Sequence, residues 1–284
     1  MTKIKIFDLK EQYKTISNEV NKNVLDILSS GQYILGKNLL KLEESFSKHV
    51  GSNYAIGCNS GTDALILSLR AMNIGPGDEV ITSPFSYFAT AEVIALTGAR
   101  PVFADINPHT YNINHKLIEK LITKKTKAII PVHLYGQACE ITEIRKICRK
   151  YNLTLIEDCA QSFGAKMNNQ FTGTFGQFGC FSFFPTKNLG CAGDGGMVVT
   201  NSLQKAKILK KLRNHGGLVR NKHEYVGYNS RLDEIQASIL LTKLKIINSI
   251  NKKRIKIAKK YKKMIYNENI RLPYQSSNAH HVYN

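Results

Sequence analysis

The chain has 284 residues, 43% of them hydrophobic, and a formal net charge of +19. That length supports one large core, or a large domain with a smaller companion, and the composition is neither fibrous nor disordered. No apolar run reaches the roughly 18 residues a membrane span needs, and the opening MTKIKIFDLKEQYK is charged throughout, with no apolar signal-peptide core. The sequence therefore predicts a cytoplasmic protein that neither spans nor docks on a membrane.

Residues 1–30 read as helical and peripheral. Beyond them, short β-rich runs alternate with helical patterns. TDALILSLRAMNI (62–74) reads as a helix, EVITSP (79–84) as a buried strand, SYFATAEVIALTG (86–98) as a helix and ARPVFADI (99–106) as a strand. KAIIPVHL (127–134) is a strand, EITEIRKICRKYN (140–152) a helix and LTLIED (153–158) a strand, followed by strands at FGCFSFF (178–184) and GGMVVTN (195–201). Alternation of this kind predicts an α/β fold on a mainly parallel sheet with right-handed crossovers.

From about residue 245 the pattern is helical. In KLKIINSINKKRIKIAKKYKKM (243–264), Leu244, Ile247, Ile250, Ile255, Ile257, Ala258 and Tyr261 recur at roughly helical spacing. That predicts an amphipathic helix with a solvated lysine face rather than a nucleic-acid stripe, since no recognition motif accompanies it. A field of +19 attracts anions, phosphorylated metabolites among them. The six cysteines (Cys58, Cys139, Cys148, Cys159, Cys180 and Cys191) form no CxxC pair, so the expectation is reduced core thiols and no structural metal.

Three stretches carry chemistry. In NSGTDAL (59–65), Ser60 or Thr62 can cap a helix whose unpaired N–H groups favour a phosphate, although most such starts are only caps. In LIEDCAQSFGA (155–165), Glu157 and Asp158 fall where a buried strand should end, the edge at which open α/β sheets bind ligands. In FSFFPTKNLGCAGDGG (181–196), Lys187 sits between aromatics and glycines. Partial desolvation there would favour its neutral, nucleophilic amine, where a surface lysine would stay in water. A phosphate cradle, a strand-end carboxylate and a nucleophilic lysine together meet the needs of pyridoxal 5′-phosphate.

The ordered motifs SGQYILG (30–36), SGTDAL (60–65), GPGDEVITSPFSYFATAE (75–92), PVHLYGQ (131–137), IEDCAQSFGA (156–165), FSFFPTKNLGCAGDGG (181–196), RNHGG (213–217) and GYNSRLDEIQASIL (227–240) resemble the DegT/DnrJ/StrS sugar aminotransferases. The resemblance implies the type I fold of pyridoxal-phosphate enzymes: a large domain with helices on both faces of a mostly parallel sheet, and a smaller C-terminal domain. It divides the chain into an N-terminal helical segment (1–30), a large cofactor domain (31–244) and the start of a small domain (245–284). Because relatives continue past HVY, the expectation is an incomplete small domain and a chain that is a fragment.

By matched position, Lys187 would form the Schiff base with the cofactor and Asp158 would pair with the pyridine nitrogen. Gln161 would contact the ring hydroxyl, and Tyr87 would stack on the ring. Gly61, Thr62, Asp63 (through its backbone) and Ser182 would hold the phosphate, with Asn229 reaching it from the other subunit of a homodimer. His133, Tyr135 and Arg231 are further candidates for substrate contact. The implied reaction moves an amino group from glutamate to a nucleotide-linked keto-hexose, and the motifs around Lys187 and Asn229 resemble 3-keto more than 4-keto enzymes. The alternatives are a dehydratase of the same fold, in which histidine replaces the lysine, and a non-catalytic regulator, for which no DNA-binding segment is present.

Overall fold

A computed structural model describes residues 7–284, so Met1–Ile6 of the predicted N-terminal segment lie outside the described residues. The elements run α1 (Leu9–Lys14), α2 (Ser17–Ser30), α3 (Lys37–Val50), β1 (Tyr54–Cys58), α4 (Gly61–Ala71), β2 (Glu79–Thr82), α5 (Ala89–Leu96), β3 (Arg100–Phe103), α6 (His115–Ile118), β4 (Thr126–Ile130) and α7 (Ile141–Lys150). They continue with β5 (Thr154–Asp158), β6 (Lys166–Met167), β7 (Gln170–Phe171), β8 (Phe178–Ser182), β9 (Gly196–Thr200), α8 (Leu203–Leu212), α9 (Glu234–Met264) and β10 (Ala279–His280).

Seven strands form one sheet in the order β1-β9-β8-β5-β4-β2-β3. β2, β3, β4, β5 and β8 pair in parallel; β9 runs antiparallel to both of its neighbours. A second, small antiparallel sheet joins β10, β6 and β7. Apart from the edge strand β3, the main sheet is buried on both faces, which is why its strands read as near-continuous apolar runs.

Successive side chains point to opposite faces. Ile56, Ile156 and Val198 meet Leu65, Leu69 and Val93 of α4 and α5 and Leu209 of α8. Ala55 and Val199 face the other way, onto Leu42 and Phe46 of α3 and Leu240 and Ile247 of α9. Ile129 and Leu155 meet Ile141, Ile144 and Ile147 of α7.

The predicted helices and strands are found in place, most of them shorter by a few residues at their ends, whereas the helix predicted over 243–264 already begins at Glu234. α9 runs unbroken through the predicted boundary at 244/245. Its first half packs into the core, through Ala237, Leu240 and Ile247; in its second half the lysines are solvated as expected, and Ile257 and Tyr261 are exposed with them. The six cysteines are free and buried, and no helix among the described residues is long and apolar enough to cross a membrane.

Candidate active site

The carboxyl ends of the parallel strands converge on a cleft of about 520 Å3. Its walls include Ser60, Gly61 and Thr62 after β1, Ser86, Tyr87 and Thr90 after β2, and Val132 after β4. Asp158 and Gln161 come from the end of β5, and Ser182, Phe184 and Lys187 from the end of β8. Residues more than a hundred positions apart meet there because each lies just past its strand, at the edge where a parallel sheet opens to ligands.

Of the two residues able to cap α4, Ser60 does so: its Oγ accepts from the Asp63 N–H at 3.0 Å. The turn lies hard against β8. A Cβ on Gly61 would stand 2.6 Å from the Ser182 Cβ, so glycine is what allows the helix N-terminus and Ser182 to share one small space. The Asp63 amide is committed to the cap and its carboxylate accepts from Ser230 Oγ at 2.6 Å; Asp63 supports this corner from behind rather than lining the cleft.

Asp158 is buried. Its Oδ2 accepts from Thr90 Oγ1 at 2.8 Å and its Oδ1 from the Ala160 N–H at 3.0 Å. Burial pushes its carboxyl above the usual range; the two hydrogen bonds and the neighbouring Lys187 charge pull the other way. Thr90 was not among the residues expected at the site. Its signal was its place in the quoted stretch 75–92, three residues after Tyr87 in the first turn of α5.

Lys187 is half-buried and makes no side-chain hydrogen bond among the described residues. Burial holds its ammonium below the ordinary lysine value, against the opposing pull of Asp158. Gln161 Oε1 accepts the Tyr135 N–H at 2.7 Å, which turns its NH2 end outward as a donor. Tyr87 is 76% exposed beside them.

His133 corrects the sequence reading. It is 0% exposed, and its Nδ1 accepts the Cys139 N–H at 3.1 Å, leaving Nε2 to donate to Glu157 at 2.9 Å. Glu157 also accepts from the Gly173, Phe175 and Gly176 amides at 2.7–2.8 Å. Alternation along β5 explains the difference: Asp158 faces the cleft and Glu157 points into the interior, so His133 braces loops and offers nothing to a substrate. His133, Glu157 and Cys159 have donor atoms within 4.8 Å of one another, but the Glu157 oxygens are already used by four donors. Tyr135 is half exposed and lines a neighbouring groove with Tyr111 and Arg271. Asn229 and Arg231 do not line this cleft; Asn229 is exposed, and Arg231 Nη1 donates to Asn214 Oδ1 at 3.1 Å.

These residues fit pyridoxal phosphate. A capped helix start with a Gly–Ser close approach suits a phosphate, a twice hydrogen-bonded carboxylate suits a protonated pyridine nitrogen, and a desolvated amine suits a carbonyl. The fold and the site define a type I pyridoxal-phosphate transferase. The chain belongs to the DegT/DnrJ/EryC1/StrS aminotransferase family, whose model matches residues 14–283, and it is accordingly a pyridoxal-phosphate-dependent sugar aminotransferase.

Among its relatives, the UDP-N-acetyl-3-dehydro-alpha-D-glucosamine 3-aminotransferase of Acidithiobacillus ferrooxidans is 44% identical over 282 residues, covering 99% of this chain and 76% of the relative. The structure of S. venezuelae DesV in complex with a ketimine intermediate superposes with a TM-score of 0.96 at 37% identity, over 100% of this chain and 76% of that one. NtdA from Bacillus subtilis with bound cofactor PMP gives 0.91 at 32% identity, over 100% and 66%.

Proposed function

We propose that the chain aminates a nucleotide-linked 3-keto-hexose with glutamate as donor, using Lys187 and Asp158 as its catalytic pair. The observation that carries the reading is that one amine and one buried carboxylate face the same cleft beside a helix N-terminus. Pyridoxal phosphate, when bound, supplies a carbonyl for an amine and a ring that takes up electron density. Lys187 Nζ, whose charged form burial disfavours, is the base that takes the proton from the substrate carbon bearing nitrogen and returns it one step later. Asp158, fixed by Thr90 and the Ala160 amide, holds a proton at the atom facing it. Gly61, Thr62 and Ser182 hold the phosphate, Gln161 donates its NH2 end to the ring hydroxyl oxygen, and Tyr87 covers the ring face.

The preference for a 3-keto sugar rests on likeness to the A. ferrooxidans enzyme, whose name specifies amination at that position. Lys187 itself favours transamination over the histidine-type dehydratase. Asn229 and Arg231 are assigned to the other subunit's cleft in a homodimer. Exposed Tyr33, Ile34, Leu218, Val219 and the 98% exposed Val226 provide apolar surface for such a contact. The large domain gives way to the small domain at 244/245, with α9 as the connection.

The test is the visible absorption spectrum of purified protein with added pyridoxal phosphate, beside Lys187→Ala, before and after glutamate. A band that needs Lys187 and bleaches with glutamate is expected. A folded wild-type chain with no lysine-dependent band would overturn the assignment.

A further inference from the structure

The loop 183–195 between β8 and β9 carries Lys187. Its base is closed by the Phe183 N–H donating to Gly195 O at 2.7 Å, and the turn before the lysine by the Lys187 N–H donating to Phe184 O at 2.9 Å. The loop is tightly folded, since a Cβ on Gly190 would stand 2.5 Å from Pro185 O.

One helix grips the segment that follows. Gln236 Oε1 accepts the Ala192 N–H at 2.8 Å, Lys243 Nζ donates to Gly190 O at 2.6 Å, and Asn251 Oδ1 accepts from Asn188 Nδ2 at 2.8 Å. Positions 236, 243 and 251 lie about two turns apart and share one face of α9, and they meet loop residues 192, 190 and 188 in turn. Asn251 also donates to Phe163 O at 3.0 Å, which ties in the segment just beyond Gln161. Lys243 and Asn251 are both buried.

Stability alone does not account for this set. Lys243 meets a backbone carbonyl, with no carboxylate paired to it among the described residues, and its burial is unfavourable to its charge. An apolar residue of similar volume would pack the same interface without that cost. What the polar groups add is direction, because each hydrogen bond fixes one loop residue at one height along the helix.

We propose that Gln236, Lys243 and Asn251 are positioning residues for Lys187, setting the direction of its amine in the cleft through the backbone of residues 188–192. The proposal rests on the reading of Lys187 as the cofactor lysine, and the Lys187→Ala spectrum tests that reading separately. The helix that leads toward the C-terminal segment thereby acts on Lys187 through the loop that carries it.

The test compares Lys243→Met and Gln236→Leu with the wild type and with Lys256→Met, which removes an exposed charge from the same helix. The first readout needs no cofactor: the pH profile of Lys187 acylation by acetic anhydride, followed by peptide mass spectrometry. The titratable groups sharing its cleft are Asp158, Asp194 and Tyr87, all left unchanged. In the two test variants the Lys187 profile moves up toward ordinary lysine, as the amine swings into water; in Lys256→Met it does not move. With cofactor added, kcat falls roughly 10- to 100-fold while KM for the donor changes little, as a misplaced reacting group requires. If Lys243→Met does not fold, Gln236→Leu, at the loop's exposed rim, gives the same readout. Profiles matching the wild type in the folded variants, with only the melting temperature lowered, would overturn the proposal.

Discussion

Thr90 Oγ1 donates to Asp158 Oδ2 at 2.8 Å, so the first turn of α5, two residues past the cleft-lining Tyr87, also fixes the carboxylate at the cleft floor. The bond favours the ionised form of an acid that burial otherwise pushes toward protonation. Thr90→Val keeps the shape and removes the donor. The carboxyl value then rises further, which weakens the charged partner proposed for the pyridine nitrogen. The expected result is roughly tenfold lower kcat/KM at neutral pH, with a steeper loss below it, and partial recovery in Thr90→Ser. A pH–rate profile on the three proteins checks this.

Gly61 and Ser182 make a second constraint at the cleft wall, a close approach rather than a hydrogen bond. A methyl group at position 61 would stand 2.6 Å from the Ser182 Cβ and 3.1 Å from its Cα and Oγ. Both sit on rigid elements, the start of α4 and the end of β8, so neither yields cheaply. Gly61→Ala should cost about 1–3 kcal/mol of stability by overpacking. It should also weaken cofactor binding disproportionately, since the space lost is where a phosphate would lie. Cofactor titration beside urea unfolding separates the two effects.

Much of this was legible from residue order. Strands buried on both faces give unmistakable apolar runs, and the end of one such run marked Asp158 as a strand-edge acid, whereas Ser182 and Tyr87 were reached through the family resemblance. β1 escaped because YAIGC is short, contains a glycine and lies beside a helix start. His133 was misjudged because the residues around a strand end do not reveal which way each side chain turns; only the Cys139 amide and the Glu157 carboxylate settle it. Thr90 and Gln236 lie inside quoted motifs that assign them no role, and Lys243 and Asn251 lie in none. They matter through hydrogen bonds made across long sequence separations, which periodicity cannot register.

Glu157 gathers amides from residues 173, 175 and 176 and the His133 ring around one buried carboxylate. Glu157→Ala would leave these buried donors unpaired. A loss of about 3–5 kcal/mol is expected, by analogy with broken buried ion pairs. His133→Ala alone should cost less, because three of the four donors keep their acceptor. The double variant should fall short of the sum of the single losses, since the two residues share a hydrogen bond. Urea unfolding of the four proteins forms the cycle, and strict additivity would show that the pair acts as two independent contacts.

Lys187 links the site to stability with a definite sign. Its value is lowered in the folded chain, so the unfolded chain binds more protons across the interval between the two values, and the stability of the cofactor-free protein rises with pH there. Below that interval the folded state bears the full cost of a half-buried ammonium. Lys187→Met removes the charge and retains the apolar stem. The variant should therefore be more stable than the cofactor-free wild type at about pH 7, with the advantage shrinking toward about pH 10, where ordinary lysine also loses its proton. Thermal unfolding of both proteins across that range checks the trend. An advantage that grew with pH would contradict the burial-driven shift. The expected pattern, a loss of activity accompanied by a gain in stability, is that of a residue held in an unfavourable state for its chemistry.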